Sequence, residues 1–164
     1  MRKVIANSTP LIGLCKIGRL DILKTMYGNI TVPQAVFDEV TKKNDSAKKQ
    51  ISEATWIHIE AVRETKSKRM YKAKLHEGEV EVMILAQEHD GDHLVIIDDG
   101  AARKTAEFLG LNVTGTIGVL IKSKKEGHIK EVMPLIFELE KHGIYFSEAL
   151  KSRVRRLSSE EQRG

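Results

Sequence analysis

One cysteine, three prolines and 5% aromatic residues leave this 164-residue chain few of the devices that staple, kink or decorate a small protein. The lone Cys15, in the apolar stretch LIGLCKIG, excludes an internal disulfide and any zinc cluster of the multi-cysteine kind. No apolar run approaches the roughly 20 residues that a bilayer crossing needs. The start, MRKVIANSTPLIGL, is interrupted by Asn7 and Pro10 and reads as a strand rather than a signal peptide. The expectation is a cytoplasmic protein with no membrane association. Neither a Gly-rich phosphate loop nor a G-x-S-x-G nucleophile elbow occurs. The six histidines offer no metal site, since Asp90 and Gly91 break the helix that would align His89 with His93. Scarce aromatics make base stacking a minor part of any nucleic-acid recognition.

What is present is a soluble globular composition, 41% hydrophobic and 30% charged, long enough for one domain with a proper core. The net charge of +4 allows a polyanionic partner. Six basic residues against one acidic crowd RETKSKRMYKAK (63–74), and four with no acid occupy KSRVRR (151–156). Each run reads equally well as a solvated surface.

Strands and helices alternate. KVIA (3–6) predicts a strand, with Thr9 and Pro10 opening a helix that continues through LIGLCKIG. A second helical segment, LDILKTM (20–26), ends at Gly28. NITVP (29–33) predicts a short strand, followed by a helix in QAVFDEVTKK. WIHIEAV (56–62) suits an edge strand or a hairpin piece. A helix is expected over GEVEVMILAQEHDG (78–91), then a central parallel strand in HLVIID (93–98), which is almost continuously apolar. A helix from Gly100 to Leu109, a strand in NVTG, and helices in GVLIKSKKEG, PLIFELEKHG and SEALKSRVRRL (147–157) complete the order. Residues 63–77 carry the weakest apolar pattern, and 158–164 read as a frayed tail on a single domain spanning 1–157. The fold class is α/β.

Five side chains converge on one level of such a sheet. Asn7 and the pair Asp98 and Asp99 close strand-like runs, while Glu39 and Glu79 lie in the flanking helices. Each has an ordinary role open to it: an Asx-turn for Asn7, a surface pairing with Lys43 for Glu39, a first-turn dipole contact for Glu79, an N-cap for Asp99. Together they mark the carboxyl edge of a parallel sheet, where open α/β folds bind ligands. Oxygen donors there suit a hard cation such as Mg2+, which would also relieve the repulsion between two adjacent aspartates.

VIANSTPLIGL, VPQAVFDEV, GEVEVMILA and LVIIDDGAARKTAEFLGLNVTGTIGVL resemble the PIN-domain superfamily over residues 3 to 157. They are most similar to a prokaryotic branch whose first motif reads N/D-[ST]-[ST]-P-L-I. The resemblance implies a three-layer α/β/α domain with a central, mainly parallel sheet. It also implies an Mg2+- or Mn2+-dependent ribonuclease, in many relatives the toxin paired with an antitoxin protein. Its metal and catalytic positions would fall on Asn7, Glu39, Glu79 and Asp98 or Asp99. Asn7 stands where the family norm is Asp, and Ile97 where a Thr is usual; Ser8 or Thr9 matches the small hydroxyl residue after the first position. Arg103 and the 63–74 run would hold RNA, and His76 is a minor candidate. The competing expectations are a non-catalytic module binding RNA or a partner protein, and a homo-oligomer that packs through helix 147–157.

Overall fold

The structure, a computed structural model, describes residues 2–63 and 75–161. Lys66, Lys68, Arg69 and the rest of the basic run from 64 to 74 lie outside the described residues, as do 162–164; so does most of the stretch expected to be weakly ordered.

Five strands form one sheet: β1 (Lys3–Ala6), β2 (Ile30–Pro33), β3 (Ile57–Glu60), β4 (His93–Ile96) and β5 (Val113–Thr114). Their order is β3-β2-β1-β4-β5, and every pairing is parallel. Parallel sheets must be covered on both faces, which is why β2 and nearly all of β1 and β4 are buried, apolar runs. β3 is therefore the edge strand, and its parallel pairing with β2 excludes the hairpin.

Nine helices complete the described residues: α1 (Ser8–Lys16), α2 (Asp21–Tyr27), α3 (Gln34–Thr41), α4 (Ser46–Glu53), α5 (Glu77–Glu88), α6 (Gly100–Phe108), α7 (Thr116–Lys125), α8 (Met133–Lys141) and α9 (Glu148–Leu157). They flank the sheet as the two outer layers of an α/β/α sandwich. α3 packs on α1, α4 and α5, while α7 packs on α2 and α9. The expected helix start at Thr9 moves forward, since α1 begins at Ser8 with Asn7 in the N-cap position. α4 was not anticipated; Asp45 caps it by accepting from the Lys48 N–H at 3.2 Å.

Of the tail expected to fray beyond Leu157, residues 158–161 are described, and two of them are held in place. Ser158 is buried, and the Glu160 carboxylate accepts from the backbone N–H groups of Val132 and Met133 at 2.8 and 2.9 Å. Those are orphan donors at the start of α8, so a side chain after α9 closes a helix before it. Lys124 Nζ completes the tether, donating to the Ser158 carbonyl and to Glu160.

β1 leads to β2 on one side and pairs with β4 on the other, so the strand order reverses between β1 and β4. Ligand crevices in open α/β sheets form at the carboxyl ends of such a pair. Asn7 and Asp98 emerge at those ends.

Candidate metal centre

With Ala6 in register with Ile96, the chain leaving β1 stays tied to β4: the Asn7 N–H donates to the Ile96 carbonyl at 3.0 Å. Asn is among the best N-cap residues, yet the Asn7 side chain makes no capping bond to α1. Its Oδ1 is buried without a hydrogen-bond partner. An unsatisfied buried acceptor of this kind costs about 1–3 kcal/mol. Its neighbour is another acceptor. Measured from the position a β-carbon would take on Gly78, Glu39 Oε2 lies at 3.3 Å, Asn7 Oδ1 at 3.6 Å and Val36 Cγ2 at 3.1 Å. Glycine thus keeps open a small space whose nearest polar atoms are two oxygens. α3 aims Glu39 there by burying Val36 and Val40 and leaving the glutamate on the solvent edge.

Beside this space is a cavity of about 400 Å3 lined by Asp38, Glu39, His76, Glu77, Gly78 and Glu81 among others. α5 is buried from Gly78 through Ala86, and two of those residues are glutamates. Buried carboxylates need partners. Glu81 Oε1 accepts the Ala35 N–H at 2.9 Å, at the start of α3. Three residues on from Gly78, Glu81 shares its helical face. Glu79 points elsewhere: its Oε1 folds back to accept the His76 N–H at 3.0 Å, closing the start of its own helix.

The aspartate pair divides in the same way. Asp99 caps α6, accepting the Ala102 N–H at 2.9 Å, which is the ordinary role open to it from sequence. Asp98 grips Thr116, with Oδ1 accepting the backbone N–H and Oδ2 the hydroxyl, each at 2.7 Å. Gly115 makes this approach feasible, because a β-carbon there would sit 2.8 Å from Asp98 Oδ1 and 3.0 Å from an Arg103 guanidinium nitrogen. Asp98 and Arg103 are therefore neighbours at the mouth of the switch point.

The structure thus brings Asn7 and Glu39 together at Gly78 and engages Glu79 and Asp99 in helix ends. Among the described residues, no three or more Asp, Glu, His or Cys side chains are arranged to hold a metal ion. Asn7, an amide, is not of those types. A carbonyl oxygen beside a carboxylate is a fitting donor pair for Mg2+, which takes one or two protein carboxylates and keeps several waters. The orphaned Oδ1 and the space held by Gly78 are the observations behind that fit.

A family model described as DUF3368, PIN domain, matches residues 3–160. The chain belongs to the PIN-domain family. This PIN domain is accordingly a nuclease-like module of a class that generally cleaves nucleic acid and usually employs divalent metal ions. Comparison with curated proteins gives no match. No described helix is long and apolar enough to cross a membrane.

Two residues of the site escaped the sequence reading. Glu81 shares the Gly78 face of α5, which no local pattern separates from the face of Glu79. Thr116 lies eighteen residues from its partner Asp98, and no local pattern announces that contact.

Proposed function

We propose that this PIN domain is a divalent-metal-dependent ribonuclease whose cation is held by Asn7 Oδ1 and the Glu39 carboxylate. The observation that carries this reading is the buried, partnerless Asn7 Oδ1 beside Glu39 at the topological switch point. A bound Mg2+ or Mn2+ supplies an ionisable water near neutral pH and relieves charge on the phosphate oxygens. Asn7, held to β4 through its backbone, presents a neutral oxygen in a fixed place. Glu39 brings the negative charge from the solvent edge, and Asp38, Glu77 and Glu81 add three further carboxylates to the lining of the adjacent cavity. Asp98 fixes the start of α7 through Thr116, and Arg103 stands beside it as a cation for the RNA backbone. The ligand roles foreseen for Glu79 and Asp99 are not retained, because capping contacts account for these side chains.

The test is cleavage of a structured RNA with Mg2+ or Mn2+, and with chelator, by wild type and Glu39→Gln. Activity should need the metal and fall at least a hundredfold in Glu39→Gln. Cleavage that ignores chelator, or is equal in the two proteins, overturns the proposal. If the activity is that of a toxin, induction arrests growth and Glu39→Gln relieves the arrest.

A second reading is a binding module without catalysis. It is favoured by Asn7 in place of a carboxylate and by the lack of a three-acid cluster among the described residues. Under it, neither wild type nor Asn7→Asp cleaves RNA with any divalent metal.

A further inference from the structure

A cavity of about 510 Å3 lies between α7, α8 and α9, with Asp98 in its lining. Its volume falls in the range of about 300–1,000 Å3 typical of small-ligand sites. The interior is apolar, with Ile121, Leu139 and Phe146 among its walls. The rim carries three charged groups, Asp98, Arg103 and Arg153. Asp98 is turned onto Thr116, accepting through both oxygens, and keeps its charge beside Arg103. Two guanidiniums and Tyr145, which is 84% exposed, share the lining with it. An exposed tyrosine on an apolar cleft that two arginines also line suits a planar apolar group joined to anions.

We propose that this cleft binds one unpaired nucleobase of RNA, stacked on Tyr145, with its flanking phosphates on Arg103 and Arg153. The proposal rests on the nuclease reading above and adds to it a place for one base apart from the candidate metal centre. Bases within a duplex have both faces covered and cannot enter such a slot. Asp98 and Thr9, beyond the ends of β4 and β1, line the cleft, so it opens at the same end of the sheet as the candidate metal centre. Beyond Arg153, Arg156 follows one helical turn along α9 and with Arg155 lines a shallower cleft, extending the basic path for the backbone. A stacked base gives Tyr145 a part in recognition that the overall scarcity of aromatics conceals.

The test measures binding of a labelled single-stranded oligoribonucleotide, and of the same sequence as a duplex, by fluorescence anisotropy in chelator. Wild type should prefer the single strand. Tyr145→Ala should weaken single-strand binding about tenfold, and Tyr145→Phe, which retains the ring, should stay within about twofold. Arg153→Gln should lower the slope of log affinity against log salt by about 0.7. Equal affinity for duplex and single strand overturns the proposal, as does Tyr145→Ala binding like wild type, which is the outcome if a partner protein is the true occupant. Metal-dependent cleavage is measured separately. Tyr145-dependent binding without cleavage upholds the cleft and ends the nuclease reading; cleavage indifferent to Tyr145→Ala leaves that reading standing and ends this one.

Discussion

At Asn7 a single atom separates a neutral ligand from a charged one. Asn7→Asp places a carboxylate in a buried site with no donor beside it, next to Glu39. Repulsion and desolvation should lower the melting temperature in chelator. Divalent metal should then stabilise the variant more than wild type, the variant gaining about 2.7 kcal/mol at a hundredfold excess over its own Kd. Thermal melts with and without Mn2+ check this, and an equal metal response in the two proteins would remove Asn7 from the site. Gly78→Ala tests the space itself. Alanine favours a helix by about 1 kcal/mol, while its methyl presses on Val36 at 3.1 Å and on Glu39 at 3.3 Å. Stability should change by less than about 1 kcal/mol, yet metal-dependent stabilisation and cleavage should be lost. Retained metal response in a folded Gly78→Ala protein would place the cation elsewhere.

Among the elements, α8 shows how a carboxylate far along the chain closes a helix. Burial acts to raise the Glu160 pKa, but N–H donors from Val132 and Met133, with Lys124 and Ser158, outweigh it and hold the group below the ordinary range. Its stabilising contribution is therefore present above the unfolded value, about 4.3, and disappears as pH falls through the lower folded value. Glu160→Gln should flatten the acid limb of stability below about pH 4.3, and Glu160→Ala should cost about 1–3 kcal/mol near neutrality. Urea melts at pH 7 and pH 3.5 check both, and an unchanged acid limb in Glu160→Gln would show that other groups dominate there.

The same scale shows what sequence could convey. Strands β1, β2 and β4 were legible because doubly covered parallel strands are apolar without interruption. α4 was not, because SAKKQISE buries only Ala47 and Ile51, too sparse a pattern to separate from a loop; the Asp45 cap was its one local sign. Sequence placed Asn7 and Asp98 beyond the ends of β1 and β4, as the structure has them, but not their individual contacts. Glu77, Glu79 and Glu81 alternate along one helix, and only the packing of Gly78 against Asn7 and Glu39 distinguishes the face that matters. Asp98 and Asp99 are adjacent in sequence, yet one grips Thr116 and the other closes α6.

For the molecule as a whole, the core supplies its own reporter. Cys15 is 3% exposed, and burial, with Asp45 adding to it, pushes its thiol up to about 11. The thiolate is the reactive form, so a thiol reagent should reach Cys15 only through unfolding. Labelling rates at neutral pH should rise with urea in step with the loss of helical signal. Rapid labelling of the native protein would show a local opening of α1 that this packing does not provide for.

The Glu160 clasp also orders events at the ribosome. Val132 and Met133 leave the exit tunnel well before the carboxylate that will satisfy their N–H groups, 28 and 27 residues later. Until that residue emerges, a nascent chain holds β1 to β4 and the residues of the candidate metal centre but lacks the clasp on α8. The wall of the apolar cleft that α8 and α9 provide is fastened only afterwards. Synthesis therefore delivers the half with the candidate metal centre first and the apolar cleft second.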